Sequence, residues 1–292
     1  MTPPNPSTGL TRLTVVRAGV HTTVQDLGRA GFGRSGVPLA GALDPAALVS
    51  ANRAVGNPDD AAGLECVLRG PTLVADRDVS VCVVGAGWAL GPVRLTAGVP
   101  YAVGPLPAGL RCWVALSGGV AIVPVLGSRS TDTLSRLGGQ VLRDGDELPL
   151  GAAREAALVT PRAAPALPPG EVTLRIVDGP HADRLVRPLA EAVFSVGPRS
   201  DRTGLRLQGD PLRSTGGDIA TIGVLPGAVQ LPPDGRPIVL LGNCQTTGGY
   251  PVVGVVCSAD LRVAAQLRPG RVVRLASVGV ALARELAAQA AL

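Results

Sequence analysis

Residues 237–256 read PIVLLGNCQTTGGYPVVGVV, in which two apolar runs enclose the polar segment QTTGGYP at 245–251. Short runs rich in Val and Ile, bounded by Gly, Asn and Pro, are typical of β-strands. The pattern therefore predicts two strands that flank a segment carrying an amide, two hydroxyls and Tyr250. Because the whole chain has only two Tyr, this gathering of polar groups at the end of a strand needs an explanation.

Similar short apolar runs recur along the chain and predict a mainly β fold. The predicted strands are LTVVR at 13–17, VSVCVVG at 79–85, PVRLTA at 92–97, LRCWVAL at 110–116, VTLRIV at 172–177, GLRLQ at 204–208, AVQLP at 228–232, PIVLLG at 237–242 and RVVRLA at 271–276. The 39 Gly and 27 Pro are spread along the chain, which fits tight turns between strands. Helices are few: Asp44 and Pro45 are predicted to start one that Gly56 ends, Ser258 to cap a short turn, and Ser277 to start a C-terminal helix.

The composition excludes several classes of function. All 27 basic residues are Arg, so the chain cannot form a Schiff base, complete a Walker A phosphate loop, or carry biotin or lipoate on a lysine. The net charge is +5, but the Arg residues are scattered. With two Tyr, two Trp and two Phe available for base stacking, nucleic-acid binding is not favoured.

The cysteines and the N-terminal residues indicate a soluble, cytoplasmic protein. The five cysteines lie mostly in apolar, strand-like runs without a CxxC pair and are expected to be buried free thiols; they are Cys66, Cys82, Cys112, Cys244 and Cys257. The start MTPPNPSTGLTR lacks the apolar core of a signal peptide. The longest apolar stretch, CWVALSGGVAIVPVLG, is too short and too broken by Gly and Pro to cross a membrane.

An internal repeat predicts two related β-rich units. LTVVRAGVH at 13–21 resembles LRIVDGPH at 174–181, and RSGVPLAG at 34–41 matches RTGLRLQG at 202–209. SGGV at 117–120 and STD at 130–132 then correspond to TGGY at 247–250 and SAD at 258–260, in the same order. The predicted N-terminal subdomain spans 12–159, a Pro/Ala-rich linker spans 160–170, and the C-terminal subdomain with its terminal helix spans 171–292.

Standard catalytic motifs do not fit. GFGRSG at 31–36 matches GxGxxG, but it is not framed by a strand and a long helix, so a dinucleotide site is rejected. No Ser lies in a nucleophile elbow. The two His, His21 and His181, are too far apart in sequence to form a helical metal motif, and no metal ligand set is predicted.

Three polar clusters at strand ends remain as candidate sites. HTTVQDLGR at 21–29 is either a hydrogen-bonded barrel corner or a site, and SDRTG at 200–204 is either a surface ion pair or a site. QTTGGYP could be a Gly-Gly hairpin, but the corresponding segment of the first repeat, ALSGGV, lacks Gln245, Thr246 and Tyr250. Polar groups added to one copy of a duplicated turn are better explained by binding than by folding.

These same stretches resemble a known family. VVRAGVHTTVQDLGRAGFGRSGVPLAGALD, TLSRLGGQVLRDGDELPLG, SDRTGLRLQG, LGNCQTTGGYPVVGVV and SADLRVAAQLRPG together resemble the KipA family. It is also known as the family of 5-oxoprolinase C subunits or the biotin-dependent carboxyltransferase family, and it is related to allophanate hydrolase subunit 2 and the carboxyltransferase domain of urea carboxylase. The likeness runs from about residue 12 to the end. Thr203 departs from the family, which typically has a bulky residue such as Met there, and this affects packing more than chemistry.

The resemblance implies two tandem cyclophilin-like β-barrels within a larger enzyme. The partners it implies are a KipI-like protein as the B component and a LamB/YcsF-like protein as the A component, which together with this chain would open 5-oxo-L-proline to L-glutamate with ATP hydrolysis. ATP and Mg²⁺ would belong to the complex, and phosphate charge would be met by Arg, backbone N–H groups, Mg²⁺ or a partner protein.

The resemblance also implies roles for residues of the three clusters. The substrate-binding residues would be Gln25, Arg202, Gln245, Thr246, Thr247, Gly248 and Tyr250. The catalytic residues would be His21, Asp26 and Asp201, with Asp201 or Asp26 as base or metal ligand.

Two other functions stay open from the sequence. The chain could transfer a carboxyl group from carboxybiotin, held by another protein, to urea or a similar amide. Alternatively, it could be a non-catalytic regulator that binds a KipI-like inhibitor of a sensor kinase. The genes beside this one would distinguish the three: a LamB/YcsF-type neighbour, a biotin carboxylase or a lone kinase inhibitor.

Overall fold

The contacts between residues divide the chain into two compact units. The computed structural model describes residues 10–153, 159–217 and 219–290. Unit 1 comprises the described residues within Met1–Gly28 and Pro45–Ala166, and unit 2 those within Arg29–Asp44 and Leu167–Leu292. Most of the N-terminal stretch on which the signal-peptide expectation rests lies outside the described residues.

Unit 1 contains two antiparallel sheets. Its strands are β1 (Thr11–Arg17), β2 (His21–Gln25), β3 (Gly63–Val67), β4 (Thr72–Ala75), β5 (Val79–Gly85), β6 (Trp88–Leu95), β7 (Tyr101–Ala102), β8 (Arg111–Leu116) and β9 (Glu147–Leu150). One sheet has the order β7-β4-β1-β9 and the other β2-β3-β8-β5-β6. Leu13 of β1 pairs with Ala75 and Leu148, and Leu64 of β3 pairs with Val114. The apolar side chains of both sheets join in one buried core, and β8 is buried at every position.

Helix α1 (Pro45–Ala54) covers part of the second sheet through small side chains. Ala47, Leu48 and Ala51 are buried, and the helix contacts β5 and β8. Gly56 follows the helix with φ of 77°, a left-handed conformation that glycine adopts without strain. The predicted start at Pro45 and stop near Gly56 are confirmed.

Unit 2 is built on a closed seven-stranded barrel. Its strands are β10 (Val172–Asp178), β11 (Val193–Val196), β12 (Gly204–Gln208), β13 (Ile222–Gly223), β14 (Ala228–Gln230), β15 (Ile238–Leu240), β16 (Thr247–Gly248), β17 (Val252–Val256) and β18 (Val272–Ser277). The barrel order is β10-β17-β14-β15-β12-β11-β18, and β13 and β16 form a separate two-stranded ribbon. The parallel pair of β10 and β18, with Leu174 opposite Leu275, closes the barrel. The other barrel pairs are antiparallel.

Two further helices lie in unit 2. Helix α2 (Ser258–Ala264) is joined to β10 by Arg175, whose backbone N and Nε donate to Asp260 Oδ2 at 2.7 and 2.9 Å and whose Nη2 donates to Oδ1. Helix α3 spans Val280–Ala290. Two sequence predictions are wrong: Cys257, not Ser258, precedes the first turn of α2, and Ser277 still belongs to β18, where it pairs with Ile176.

The mainly β fold with few helices is confirmed: the described residues contain eighteen strands and three α-helices. Every predicted strand overlaps a strand of the structure, although several bounds differ by one to four residues. The pairing of 34–41 with 202–209 as a structural repeat is wrong. Arg34 is exposed in the 3-10 helix Gly33–Ser35, whereas Arg202 is buried just before β12. No helix in the described part of the chain has the length and apolar character needed to cross a membrane.

The segment Arg29–Asp44 packs with unit 2 although it precedes α1 of unit 1 in sequence. The Arg202 guanidinium donates to the Gly41 carbonyl through Nη2, and to Asn243 Oδ1 through Nε and Nη2 at 3.2 and 3.1 Å. The Ala40 N–H donates to the Gly242 carbonyl at 3.0 Å. The subdomain bounds 12–159 and 171–292 stay a prediction, and the predicted linker 160–170 spans the division between the units at Ala166 and Leu167.

Replacing Arg202 with Met should destabilise the protein. The variant keeps an apolar side chain of similar length but loses the hydrogen bonds to Gly41 and Asn243, so we expect the free energy of unfolding to fall by about 2–3 kcal/mol. Arg206→Met, on the exposed face of β12, should change it by less than about 0.5 kcal/mol. Guanidinium denaturation of both variants measures the difference, and equal losses would contradict the anchoring role of Arg202.

Candidate functional site

The segment 245–250 is an extended ribbon rather than a tight turn. Strand β16 pairs with β13, with Ile222 opposite Gly248 and Gly223 opposite Thr247. The ladder continues on both sides, since the Val224 N–H donates to the Thr246 carbonyl at 2.9 Å and the Ile219 N–H donates to the Gly249 carbonyl at 3.1 Å. The backbone of the segment is thus held by a second loop of the same unit, which leaves its side chains available.

The glycines of this segment differ from those of the corresponding segment in unit 1. Gly118 and Gly119 of unit 1 have φ of 90° and 65°, as a tight turn requires. Gly248 and Gly249 do not adopt the left-handed region. A Cβ on Gly248 would lie 2.4 Å from Nε2 of Gln230, so a larger residue at 248 would displace the end of that side chain.

Gln230 is a residue of this site that the sequence prediction missed. It lies on β14, it is 2% exposed, and its Oε1 accepts a hydrogen bond from Gln245 Nε2 at 3.2 Å. The signal was present in the sequence, because AVQLP places an amide inside an apolar strand. Buried amides in β-barrels normally have a polar partner, and that partner could have been sought in QTTGGYP.

The other side chains of the segment reach solvent to different degrees. Thr246 is half-buried, Thr247 is exposed, and Tyr250 is 39% exposed. Pro251 follows and forms part of the wall of an open cleft of about 460 Å³, whose other walls are the loops that carry Arg213 and Asp234. The segment therefore offers one amide and three hydroxyls to a small polar ligand.

Asp201 and Arg202 are both engaged in local structure. Asp201 is exposed, and its Oδ1 accepts hydrogen bonds from the backbone N–H groups of Thr203 at 2.7 Å and Gly204 at 3.2 Å, which holds the turn into β12. Arg202 is 4% exposed and bonded to Gly41 and Asn243. These contacts favour structural roles over the predicted roles in base catalysis and substrate binding.

Asp26 of unit 1 is clasped by the loop Ser128–Ser130. Its Oδ1 accepts from Ser128 Oγ at 2.6 Å, Ser130 Oγ at 2.5 Å and the Gly28 N–H at 2.8 Å, and its Oδ2 accepts from the Arg129 N–H at 2.6 Å. Burial by itself would raise the pKa of Asp26, but these four hydrogen bonds outweigh it and hold the pKa below its ordinary value. A carboxylate stabilised in this way is a weak proton acceptor, so the geometry favours a structural role over that of a general base.

Gln25 and His21 lie at the two ends of β2, the strand that precedes Asp26. Gln25 is fully buried, and its Nε2 donates to Thr23 Oγ1 at 3.0 Å and to the Thr131 carbonyl at 3.1 Å. Its Oε1 is buried without a hydrogen-bond partner among the described residues. His21 is half-buried at the start of β2, opposite Val67.

The predicted site residues thus divide between the two units. Unit 1 holds His21, Gln25 and Asp26; unit 2 holds Asp201, Arg202, Gln245, Thr246, Thr247, Gly248 and Tyr250. In unit 2 the structure brings the residues of 245–250 together with Gln230. In unit 1 it brings Asp26 together with the Ser128–Ser130 loop. The roles assigned to these residues stay predictions.

A metal site on this chain alone is not supported by the side chains that the structure describes. Within 10–153, 159–217 and 219–290, no group of three or more His, Cys, Asp or Glu side chains is arranged to hold a metal ion. No chemical step is therefore assigned to a metal held by this chain.

Comparison with known proteins gives consistent matches over most of the chain. A family model described as carboxyltransferase domain, subdomain A and B, matches residues 35–277. The C subunit of the 5-oxoprolinase of Escherichia coli (strain K12) is 36% identical over 277 residues, which cover 89% of this chain and 89% of that protein.

Two solved structures are similar in fold. A crystal structure of TTHA0988 has a TM-score of 0.82 and 35% identity, and the match covers 94% of this chain but only 57% of that one. The urea carboxylase of Kluyveromyces lactis has a TM-score of 0.85 and 25% identity, with 96% of this chain and 28% of that chain covered. This chain therefore spans little more than half the length of TTHA0988 and about a quarter of the length of the urea carboxylase.

Replacing Asp26 with Asn should lower stability in a pH-dependent way. The amide cannot accept all four hydrogen bonds, so we expect the free energy of unfolding at pH 7 to fall by about 1–3 kcal/mol. Because the folded-state pKa lies below the ordinary value of 3.8, the stabilisation is fully present above that pH and is lost as the pH falls through the folded-state pKa. The difference between wild type and variant should be constant from about pH 5 to 7 and should shrink below about pH 4.

The matched control for this measurement is Asp60→Asn, because Asp60 is an exposed carboxylate of the same unit. Denaturant titrations of both variants across this pH range give the comparison. If Asp26→Asn lowers the free energy of unfolding no more than Asp60→Asn does, the hydrogen bonds to Asp26 do not stabilise the fold as proposed.

Proposed function

We propose a function from one premise: the chain belongs to the family of carboxyltransferase domains with subdomains A and B. In this proposal it is the C subunit of a multi-component, ATP-dependent 5-oxoprolinase, which converts 5-oxo-L-proline to L-glutamate. The observation that carries the proposal is the match to the C subunit of the Escherichia coli 5-oxoprolinase, which spans 89% of both proteins at 36% identity.

The reaction explains why a complex is needed. The lactam of 5-oxoproline is stabilised by resonance, so its ring opens near neutral pH only after activation. Transfer of a phosphoryl group from ATP to the lactam carbonyl oxygen would make the ring carbon more electrophilic. Water would then add to that carbon, the C–N bond would break as the nitrogen takes up a proton, and hydrolysis of the resulting acyl phosphate by a second water would release phosphate and glutamate. This chain has no Lys for a Walker A loop, and its described residues offer no cluster for Mg²⁺. We therefore propose that ATP and Mg²⁺ are held at the level of the complex.

The part of this chain is to bind and orient the lactam. 5-Oxoproline carries one N–H donor, a carbonyl acceptor and a carboxylate, and the segment 245–250 offers the amide of Gln245 with the hydroxyls of Thr246, Thr247 and Tyr250. The ribbon of β13 and β16 satisfies the backbone of the segment, so these side chains can be positioned before the ligand arrives. Asp26 and Asp201 hold loops in this proposal, and the general base comes from elsewhere in the complex.

The proposal includes partner proteins and a cellular location. A KipI-like B component and a LamB/YcsF-like A component are the proposed partners, because a protein named as the third of a lettered set of subunits acts with others. A reducing cytoplasm is the proposed location, since all five cysteines are buried free thiols, including Cys66 and Cys112, which face each other on neighbouring strands.

A second candidate function is carboxyl transfer to urea or a similar amide. The observation that favours it is the TM-score of 0.85 with the urea carboxylase of Kluyveromyces lactis. The chain covers 28% of that protein, against 89% of the C subunit of the Escherichia coli 5-oxoprolinase. Because the second match covers nearly the whole relative, we favour the 5-oxoprolinase function over carboxyl transfer.

The segment 245–250 is tested by the triple variant Gln245→Ala, Thr246→Leu, Tyr250→Val in a complex reconstituted with the KipI-like and LamB/YcsF-like partners. Each hydrogen bond lost to the reacting lactam should cost about 0.5–3 kcal/mol, so kcat/KM for 5-oxoproline should fall by more than about a hundredfold. The melting temperature should fall by only about a few degrees, because the variant loses the bond to Gln230 but the ribbon keeps its backbone hydrogen bonds.

The control for the triple variant is Gln208→Ala, at the exposed end of β12. Its kcat/KM for 5-oxoproline should equal that of the wild type. If that of the triple variant also does, the segment has only a structural role. A wild-type complex that carboxylates urea and ignores 5-oxoproline would move the assignment to carboxyl transfer.

The isolated chain should not hydrolyse ATP. Phosphate release should stay at background with 5-oxoproline present and should appear only when the two partner proteins are added, because this chain has neither a Lys nor a phosphate loop. A coupled assay for ADP on the chain purified alone measures this. Turnover by that preparation, abolished by a disabling variant of this chain, would overturn the proposed division of labour.

A further inference from the structure

Gln230 and Gln245 form a pair of amides beneath the ribbon. Gln230 is 2% exposed on β14, whereas Gln245 is half-buried and precedes β16. Gln245 Nε2 donates to Gln230 Oε1 at 3.2 Å, and Nε2 of Gln230 lies where a Cβ of residue 248 would otherwise be. A side chain at 248 would therefore move the Gln230 amide from this position.

The buried end of this pair is incompletely bonded. Nε2 of Gln230 is buried and has no hydrogen-bond partner among the described residues. A buried donor without a partner is unfavourable, and native structures contain few of them. The apolar barrel wall would accept Met at this position without that penalty, so the amide at 230 calls for a functional explanation.

The outer end of the pair is chemically defined. Because one N–H of Gln245 Nε2 donates to Gln230, Gln245 can offer a ligand its carbonyl oxygen and its second N–H group. Gln245 is half-buried, so its side chain is partly open to solvent. An amide held in this orientation accepts a hydrogen bond and discriminates in favour of a ligand that presents an N–H group.

We propose that Gln230 is a positioning residue that holds the Gln245 amide with its Oε1 toward the substrate, so that the site selects an N–H donor such as that of a lactam. The inference rests on the proposed function, since it assigns the lactam N–H of 5-oxoproline to Gln245 Oε1. Gln230 itself does not touch the substrate. Its effect is on specificity, through the orientation of its neighbour.

The test compares two variants of Gln230 in the reconstituted complex. Gln230→Met removes the acceptor at nearly constant length, and Gln230→Glu keeps an acceptor for Gln245 Nε2. Each complex is assayed for KM and kcat with 5-oxoproline and for inhibition by the analogue whose ring oxygen replaces the N–H. Gln208→Met, on the exposed end of β12, is the matched control.

The wild-type complex should bind the ring-oxygen analogue at least about tenfold more weakly than 5-oxoproline. Gln230→Met should raise KM for 5-oxoproline by about tenfold, the effect of one hydrogen bond, with less change in kcat. Its preference for the N–H ligand should nearly vanish, whereas Gln230→Glu should retain most of that preference. The melting temperature of Gln230→Met should equal or exceed that of the wild type, because the unpaired buried donor is gone.

The outcomes separate the inference from the function on which it rests. A wild-type complex without 5-oxoproline turnover removes the proposed function and the inference with it. A complex that turns over 5-oxoproline, but in which Gln230→Met leaves KM and ligand preference unchanged, removes the inference alone. A lower melting temperature with equal losses for both ligands would make Gln230 a purely structural residue and would likewise overturn the proposal.

Discussion

The parallel pairing of β10 with β18 is the interaction on which unit 2 depends. It joins the first and last strands of the barrel, so the ladder has no free edge to pair with another chain. The same two strands also make side-chain hydrogen bonds. Arg175 of β10 binds Asp260 of α2, and Ser277 of β18 binds Asp178 of β10. Closure also fixes β14, β15 and β17 side by side, and these strands frame the candidate site.

A closed barrel leaves few polar groups for ligand binding, because its backbone is paired and its interior is apolar. The polar groups must then come from segments that leave the barrel between two strands. The segment 245–250 does this between β15 and β17, and its backbone is satisfied by pairing with residues 219–224 instead of by the barrel. A segment that leaves the barrel loses the barrel strands as partners for its backbone N–H and C=O groups. The ribbon supplies other partners, so the segment can be ordered while its side chains stay open to a ligand.

The local patterns in the sequence were sufficient for the strands but not for the partners. Runs such as VTLRIV and GLRLQ predicted β10 and β12 because alternation and β-branching are local properties. The prediction that Arg34 corresponds to Arg202 was wrong because it depends on tertiary contacts, which are not local properties. The letters agree, but one arginine is exposed in a 3-10 helix and the other is buried against Gly41 and Asn243. A short sequence motif does not reveal tertiary contacts of this kind, because the contacting residues lie far away in the sequence.

The same limit explains which site residues could be predicted. Asp26 and Asp201 were candidates because carboxylates are common catalytic groups, yet the role of a carboxylate depends on what bonds to it. Four hydrogen bonds to Asp26 hold its pKa low and oppose proton uptake. Asp201 Oδ1 accepts from two backbone N–H groups and so holds the turn into β12. Gln230 was missed although an amide within AVQLP is anomalous, because its meaning depends on Gln245, fifteen residues away. The orientation of the Gln245 amide, on which the proposed selectivity rests, is set only once the barrel has placed β14 beside the ribbon.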